Sequence, residues 1–251
     1  MDAKVMENSQ IAFPESLEVT DQQIDLSGLT KGQKDFYLEL FSEVVDFYGT
    51  KKKPRVVLGI AGPTGAGKSV VAVLLKHLAK HAHLSFAVES ITIDAYHYPN
   101  SYLNSQFADG EPLKKFKGRF DTYDTAQLAR DLSAFTAGET VAFPAYSRRL
   151  HDPVKNSVIV DTKAALLIVE GLWLLYDKAG WEAVGPLLDY AIFVDADVER
   201  VKGPVLKRHI TGGRSAEDAA RHYEQVDSRN SELVLTTRHR ANRIIPPYYL
   251  V

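Results

Sequence analysis

The chain is expected to fold as a three-layer α/β sandwich around a central, mostly parallel sheet. Three observations predict it. Short apolar runs alternate with helical patterns along most of the sequence. Those runs are continuously apolar, as in strands covered on both faces. The 251 residues, 45% hydrophobic and 25% charged, suffice for one sizeable core. No internal repeat or long low-complexity tract is present, which sets solenoids and propellers aside.

The elements follow in order. Residues 1–30 are polar with little periodicity and read as surface. From Lys34 to Tyr48 the residues Tyr37, Phe41, Val44, Val45 and Tyr48 recur at helical spacing. Lys51, Lys52 and Lys53 before Pro54 end that helix as a solvated linker. Residues 1–54 therefore read as an N-terminal extension with an amphipathic helix, and 55–251 as the main domain. Arg55–Ala61 and Phe86–Ile93 are predicted strands, separated by a helix over Lys68–His81. Asp124–Ala137 is a predicted helix with Leu128, Leu132 and Phe135 on one side. Ala165–Glu170, Tyr190–Asp195 and Arg243–Ile245 complete the strands. The irregular region from Pro99 to Leu150 is too long for a simple connection and is expected to cover a ligand site.

Composition narrows the function. Against 32 Asp plus Glu stand 30 Lys plus Arg, a net charge of −2, so no broad positive field invites nucleic acid or an anionic membrane. Without cysteine there is no disulfide, thiolate nucleophile or Cys-based metal site. The longest apolar stretch, Ala164–Tyr176, is too short for a bilayer and is interrupted by Glu170. The opening MDAKVMENSQ lacks the apolar core of a secretory signal. A cytoplasmic protein is the expectation, with a homodimer as the default assembly.

The strongest motif is Gly62-Pro63-Thr64-Gly65-Ala66-Gly67-Lys68-Ser69, with Val70 following, which fits G-x-x-x-x-G-K-[ST]. Binding a polyphosphate needs several backbone N–H groups converging on one point, and glycines let the chain curl tightly enough. The following helix adds its positive N-terminal end. Lys68 is expected to reach the β- and γ-phosphates of ATP and Ser69 to hold Mg²⁺. The position of the motif, between a predicted strand and a predicted helix, is what its mechanism requires.

Two carboxylates stand where phosphoryl transfer would use them. Asp94 ends the first strand after the loop helix, where it would orient an acceptor hydroxyl and take its proton. Glu170 ends another strand and is expected to help hold the metal. The guanine-reading pattern N-K-x-D is absent, which argues against a GTPase.

At this point the chain resembles the P-loop small-metabolite kinases of the phosphoribulokinase, uridine kinase and pantothenate kinase superfamily. The segment Ile93–Asn100 is similar to the Asp-containing motif after their second strand. Lys117-Gly118-Arg119-Phe120-Asp121-Thr122-Tyr123-Asp124 looks like the pantothenate kinase arrangement. Phe143–Val154, Val169-Glu170-Gly171, Lys207-Arg208-His209, Gly212-Gly213-Arg214 and Asp227 with Asn230 look like the bacterial fructose-kinase-like branch. The resemblance implies a P-loop NTPase fold, with a substrate region near 96–155 and a lid near 200–215. It implies that Asp94 is the catalytic base, that Arg119, Tyr146, Arg148 and Arg149 line the acceptor pocket, and that Arg208 and Arg214 belong to the lid. It also places Tyr96, His97 and Asn230 with the substrate. Two departures stand out: Ala95 after Asp94, and Lys202-Gly203-Pro204-Val205, where Pro204 is expected to break or kink the lid helix.

Other features read as structure. His77 and His81 read as a solvated helix end, Ser215 with Asp218 as a helix cap, and Trp173 and Trp181 as core or pocket wall. Pro246-Pro247-Tyr248-Tyr249 either flank adenine or pack the last strand. The expectation is an ATP- and Mg²⁺-dependent kinase acting on a hydroxyl of a small polar metabolite. A sugar or polyol ranks ahead of pantothenate or a nucleoside, and a non-catalytic ATP-binding regulator is the competing class.

Overall fold

The computed structural model describes residues 11–19, 22–147 and 149–246. Strands β1 (Ser16–Val19) and β2 (Gln22–Asp25) pair antiparallel and lead into helix α1 (Lys31–Thr50). A capping box starts α1: Thr30 Oγ1 accepts from the Gln33 amide, and Gln33 Oε1 accepts from the Thr30 amide at 2.8 Å. Next come β3 (Val56–Ala61), α2 (Lys68–His81) and β4 (Ala87–Thr92). A 3-10 turn over Ile93–Tyr96 leads to α3 (Asn100–Ser105) and the short pair β5 (Phe107–Ala108) and β6 (Glu111–Pro112). Helix α4 (Thr125–Thr136) begins where the Asp124 carboxylate accepts from the Gln127 amide at 2.8 Å. The hairpin β7 (Val141–Ser147) and β8 (Asp152–Val160) follows, then β9 (Ala164–Glu170) and β10 (Tyr190–Val194). The chain finishes with α5 (Val198–Thr211), α6 (Ala216–His222), α7 (Ser228–Thr236) and β11 (Arg243–Ile245), a π-helical turn over Tyr223–Asp227 joining α6 to α7.

Five strands form one all-parallel sheet in the order β11-β10-β3-β9-β4. Successive side chains of a strand point to opposite faces, so the apolar runs feed two cores. Val56, Leu58, Ile60, Leu166, Ile168, Ile192 and Val194 pack with α1 and α2 on one side. Val57, Ala61, Leu167, Val169, Ala191 and Phe193 pack with α4, Trp173 and Trp181 on the other. The expected three layers follow. Helix α1 buries Tyr37, Leu40, Phe41, Val44 and Val45 in the first core, so its apolar face is covered within the chain. Arg55 ties β3 to the second layer, donating from its buried guanidinium to the carbonyls of Phe135 at 2.7 Å, Glu139 at 2.6 Å and Asp161 at 3.1 Å.

Strand β3 lies between β9 and β10, and the connections leaving β3 and β9 run to opposite sides of it. Such a switch in strand order opens a crevice at the C-terminal strand ends, where open parallel sheets bind ligands.

Three sequence expectations need correction. Within the stretch 1–30, read as surface, β1 and β2 pair, and Leu17, Val19 and Leu26 are buried in the first core. The region Pro99–Leu150 is more regular than its composition suggests, because it contains β7 and leads into β8. Pro144 inside β7, a register shift between Phe143 and Ala145, and the polar run Lys155-Asn156-Ser157 in β8 hide the hairpin from the sequence. Pro204 does not break the helix expected there: α5 runs from Val198 to Thr211 through it. The missing amide would have bonded the carbonyl of Arg200, a residue exposed to water, which can take over that bond. Among the described residues no helix is long and apolar enough to cross a membrane.

Candidate active site

The crevice is floored by the loop between β3 and α2. Gly62 has φ +147°, and a Cβ built there would lie 2.3 Å from the Val194 carbonyl oxygen, so only glycine lets the loop lie this close to β10. A Cβ on Gly65 (φ +79°) would lie 2.8 Å from Val205 Cγ2 and 3.0 Å from Val201 Cβ. Helix α5 therefore rests directly on the loop. Pro63, Thr64, Ala66 and Val70 are buried around it. No side chain caps the start of α2, so its first amides remain available to an anion. Lys68 is 7% exposed, and its Nζ donates to the Pro63 carbonyl at 2.8 Å.

Two acids complete the floor. Ser69 Oγ donates to Glu170 Oε1 at 3.1 Å. Glu170, at the end of β9, is in register with Ile60 of β3 on one side and Thr92 of β4 on the other. Asp94 follows in the 3-10 turn, where its amide donates to Thr92 Oγ1 at 3.3 Å. The three ionisable groups sense one another. Burial pushes the Lys68 ammonium down to about 8, Arg208 acting in the same direction while Glu170, Asp94 and Asp227 oppose. Burial and the negative charge of Asp94 raise Glu170, against Lys68 and the hydrogen bonds from Thr92 and Ser69.

The wall beside Asp94 is aromatic and cationic. His97 is buried and stacks on Tyr123 with ring centroids 3.9 Å apart, its Nδ1 lying 3.1 Å from the Thr122 carbonyl. Burial pushes His97 down to about 4 despite Asp94 nearby, so the ring is neutral at physiological pH. Tyr146 lies 6.1 Å from His97, ring to ring. Lys117 Nζ sits 5.3 Å from the Tyr146 ring centroid and donates to Asn100 Oδ1 at 3.1 Å and the His151 carbonyl at 2.6 Å. Burial lowers Lys117, with Asp152 and Asp94 opposing. Sequence reasoning missed Lys117 as an individual; its one signal was its place beside Gly118-Arg119.

Other sequence-selected residues have different neighbours. Tyr96 turns from the expected substrate position, since its buried hydroxyl donates to Asp131 of α4 at 2.8 Å. Arg119 grips Asp121 through two bonds of 2.8 Å and also reaches Asp109 at 3.3 Å. The buried Asn230 donates to the Gly118 carbonyl at 3.0 Å, which Trp173 Nε1 also meets at 2.9 Å, so both brace the loop carrying Lys117. Arg149 is exposed in the β7–β8 turn, while Arg148, Pro247, Tyr248 and Tyr249 lie outside the described residues. Arg208, exposed on α5, acts electrostatically on Lys68 and Asp227, and Arg214 acts on His222. His209 Nε2 meets Asp227 Oδ2 at 2.7 Å. Burial works to raise Asp227, but the bond to His209 and the charges of His222, His209 and Arg208 outweigh it and hold the carboxyl below its usual range.

The floor suits a polyphosphate with a hard divalent cation. A hydroxyl and a carboxylate stand side by side at Ser69 and Glu170, oxygen donors of the kind Mg²⁺ takes. Burial first and Asp94 second raise Glu170, and a bound cation would favour its charged form.

The model of the phosphoribulokinase / uridine kinase family matches residues 57–248. The uncharacterized protein YggC of Escherichia coli K12 is 33% identical over 191 residues, covering 76% of this chain and 77% of that one. A pantothenate kinase of Ligilactobacillus salivarius is 30% identical over 206 residues, covering 81% of this chain and 65% of the relative. Among solved structures, a "putative fructose transport system kinase" from Silicibacter sp. TM1040 superposes with a TM-score of 0.74 at 21% identity, over 87% of this chain and 100% of that one.

Proposed function

The chain belongs to the phosphoribulokinase / uridine kinase family, and from that premise we propose that its acceptor is a small hydroxy acid of the pantothenate type. The protein is an ATP-dependent phosphotransferase that acts on an alcohol group. The observation that carries the acceptor class is the set of pantothenate kinases similar to the chain, among them those of L. salivarius at 30% and Agrobacterium fabrum at 36% identity. The half-buried Lys117 beside Tyr146, sensing Asp94, supplies the positive charge a carboxylate acceptor would need. The sugar ranked first from the sequence has less behind it, because the Silicibacter likeness at 21% identity speaks for the fold alone.

In the proposed mechanism the loop amides and Lys68 bind the phosphates of ATP. Ser69 and Glu170 would hold Mg²⁺, which when bound neutralises phosphate charge. Asp94 accepts a hydrogen bond from the acceptor hydroxyl, aligns its oxygen with the γ-phosphorus and takes its proton as the new P–O bond forms. The bond from the γ-phosphorus to the β–γ bridging oxygen breaks, and ADP leaves. His97 stays neutral, so it places no cationic partner beside Asp94. Arg208 and Arg214 donate to the phosphate oxygens as the lid settles, and closure keeps water from competing as acceptor.

The test is ADP release with pantothenate, fructose or uridine as acceptor, with the product identified by mass. Pantothenate is expected to exceed the others in kcat/KM by about 100-fold or more, the range open to a site built around a specific polar partner. A higher value with fructose or uridine would overturn the acceptor assignment.

A further inference from the structure

Beside the phosphate floor lies a second cluster that the kinase chemistry does not use. His209 comes from α5, His222 from the end of α6, and Asp227 from the end of the π-helical turn. Their ligand atoms all lie within 4.8 Å of one another, and His222 and Asp227 are buried. We propose that His209, His222 and Asp227 form a binding site for a zinc-type transition-metal ion that clamps α5 to the α6–α7 junction.

Three features support the assignment. The first is backbone geometry. His222 and Asp227 are five residues apart, which on a regular α-helix of 3.6 residues per turn puts them on different faces. The π turn over Tyr223–Asp227, closed by the Ser228 amide on the Tyr223 carbonyl, brings positions five apart together. Such turns are costly and concentrate at functional sites. The second feature is ligand orientation. His222 is buried and its ring lies 5.0 Å from that of His209, edge to face at 82°, so packing rather than solvent sets the orientation of both imidazoles.

The third feature is ligand chemistry. His209 Nε2 and Asp227 Oδ2 face each other at 2.7 Å, and replacing the shared proton by an ion requires them to part only to the roughly 3.3 Å of a tetrahedral site. Two imidazoles and one carboxylate are borderline ligands that favour Zn²⁺ or Co²⁺ over Mg²⁺, with a fourth position left open. The other close histidine pair, His77 and His81 on α2, stacks at 4.2 Å but has no third ligand among the described residues.

The experiment uses the full chain in excess Mg²⁺, titrated with Co²⁺ and then with Zn²⁺. One Co²⁺ per chain should give a d–d absorption band of tetrahedral type, displaced by one equivalent of Zn²⁺. His209→Ala and Asp227→Asn should each weaken Zn²⁺ binding by about tenfold or more. His81→Ala should leave it unchanged. Zn²⁺ should raise the thermal midpoint of the wild type and not that of His209→Ala. No stoichiometric band, a band that persists in both variants, or a band lost in His81→Ala would each overturn the site.

Discussion

Truncating and filling the contact between Gly65 and Val205 tests whether α5 rests on the phosphate loop. In Gly65→Ala the new methyl is strained at φ +79° and lies 2.8 Å from Val205 Cγ2. The backbone strain costs roughly 1–2 kcal/mol, and forcing a methyl into a packed contact adds roughly 1–3 kcal/mol. Val205 is 1% exposed, so Val205→Ala alone costs roughly 2 kcal/mol in lost burial and cavity. In the double variant the clashing methyl is gone. The strain, the burial loss and the 3.0 Å approach to Val201 Cβ remain, but the overpacking against Val205 does not, so the pair should be less destabilised than the sum by about 1 kcal/mol or more. Urea unfolding of the four proteins, with m-values checked for constancy, reads that coupling directly. Additivity within about 0.5 kcal/mol would refute the docking of α5 on the loop.

Further predictions concern charge and the core. Lys68 in the free enzyme titrates at about 8, so kcat/KM for ATP should fall about tenfold per pH unit above that value. A profile flat to pH 10 would contradict the burial of its ammonium. The same shift sets a stability trend. The folded pKa lies below the unfolded value of 10.5, so the unfolded chain holds more protons between about 8 and 10.5, and stability should rise with pH across that window. Denaturant titrations of wild type and Lys68→Met should diverge there; parallel curves would count against it. Arg55→Met strips three carbonyls of their donor and should cost about 3 kcal/mol or more by urea unfolding. A loss under 1 kcal/mol would show that Arg55 does not tie β3 to α4.

Much of the fold was legible because the sheet is buried on both faces. The runs Val56–Ala61, Ala164–Glu170 and Tyr190–Val194 carry almost no polar residues, and the structure moves their predicted ends by one residue. The loop was legible because backbone amides, not side chains, bind phosphate, and the curl they need leaves a glycine signature. Long-range partners were not legible. Arg119 has a local partner in Asp121, but nothing in the sequence foretells its reach to Asp109, and Tyr96 looked substrate-facing until α4 brought Asp131 to its hydroxyl. Pro204 misled because a proline rule applied to sequence alone cannot see that the carbonyl it leaves unbonded belongs to an exposed turn. The π turn that brings His222 and Asp227 together has no sequence period at all.

The central claim is that Asp94, one strand beyond Glu170, receives the acceptor proton and takes no part in binding ATP. Single-turnover phosphoryl transfer by Asp94→Asn, alongside nucleotide affinity measured without acceptor, separates the two roles. Turnover should drop by about 10²- to 10⁴-fold with ATP affinity within about twofold of wild type. A collapse of ATP affinity with turnover retained at saturation would contradict it.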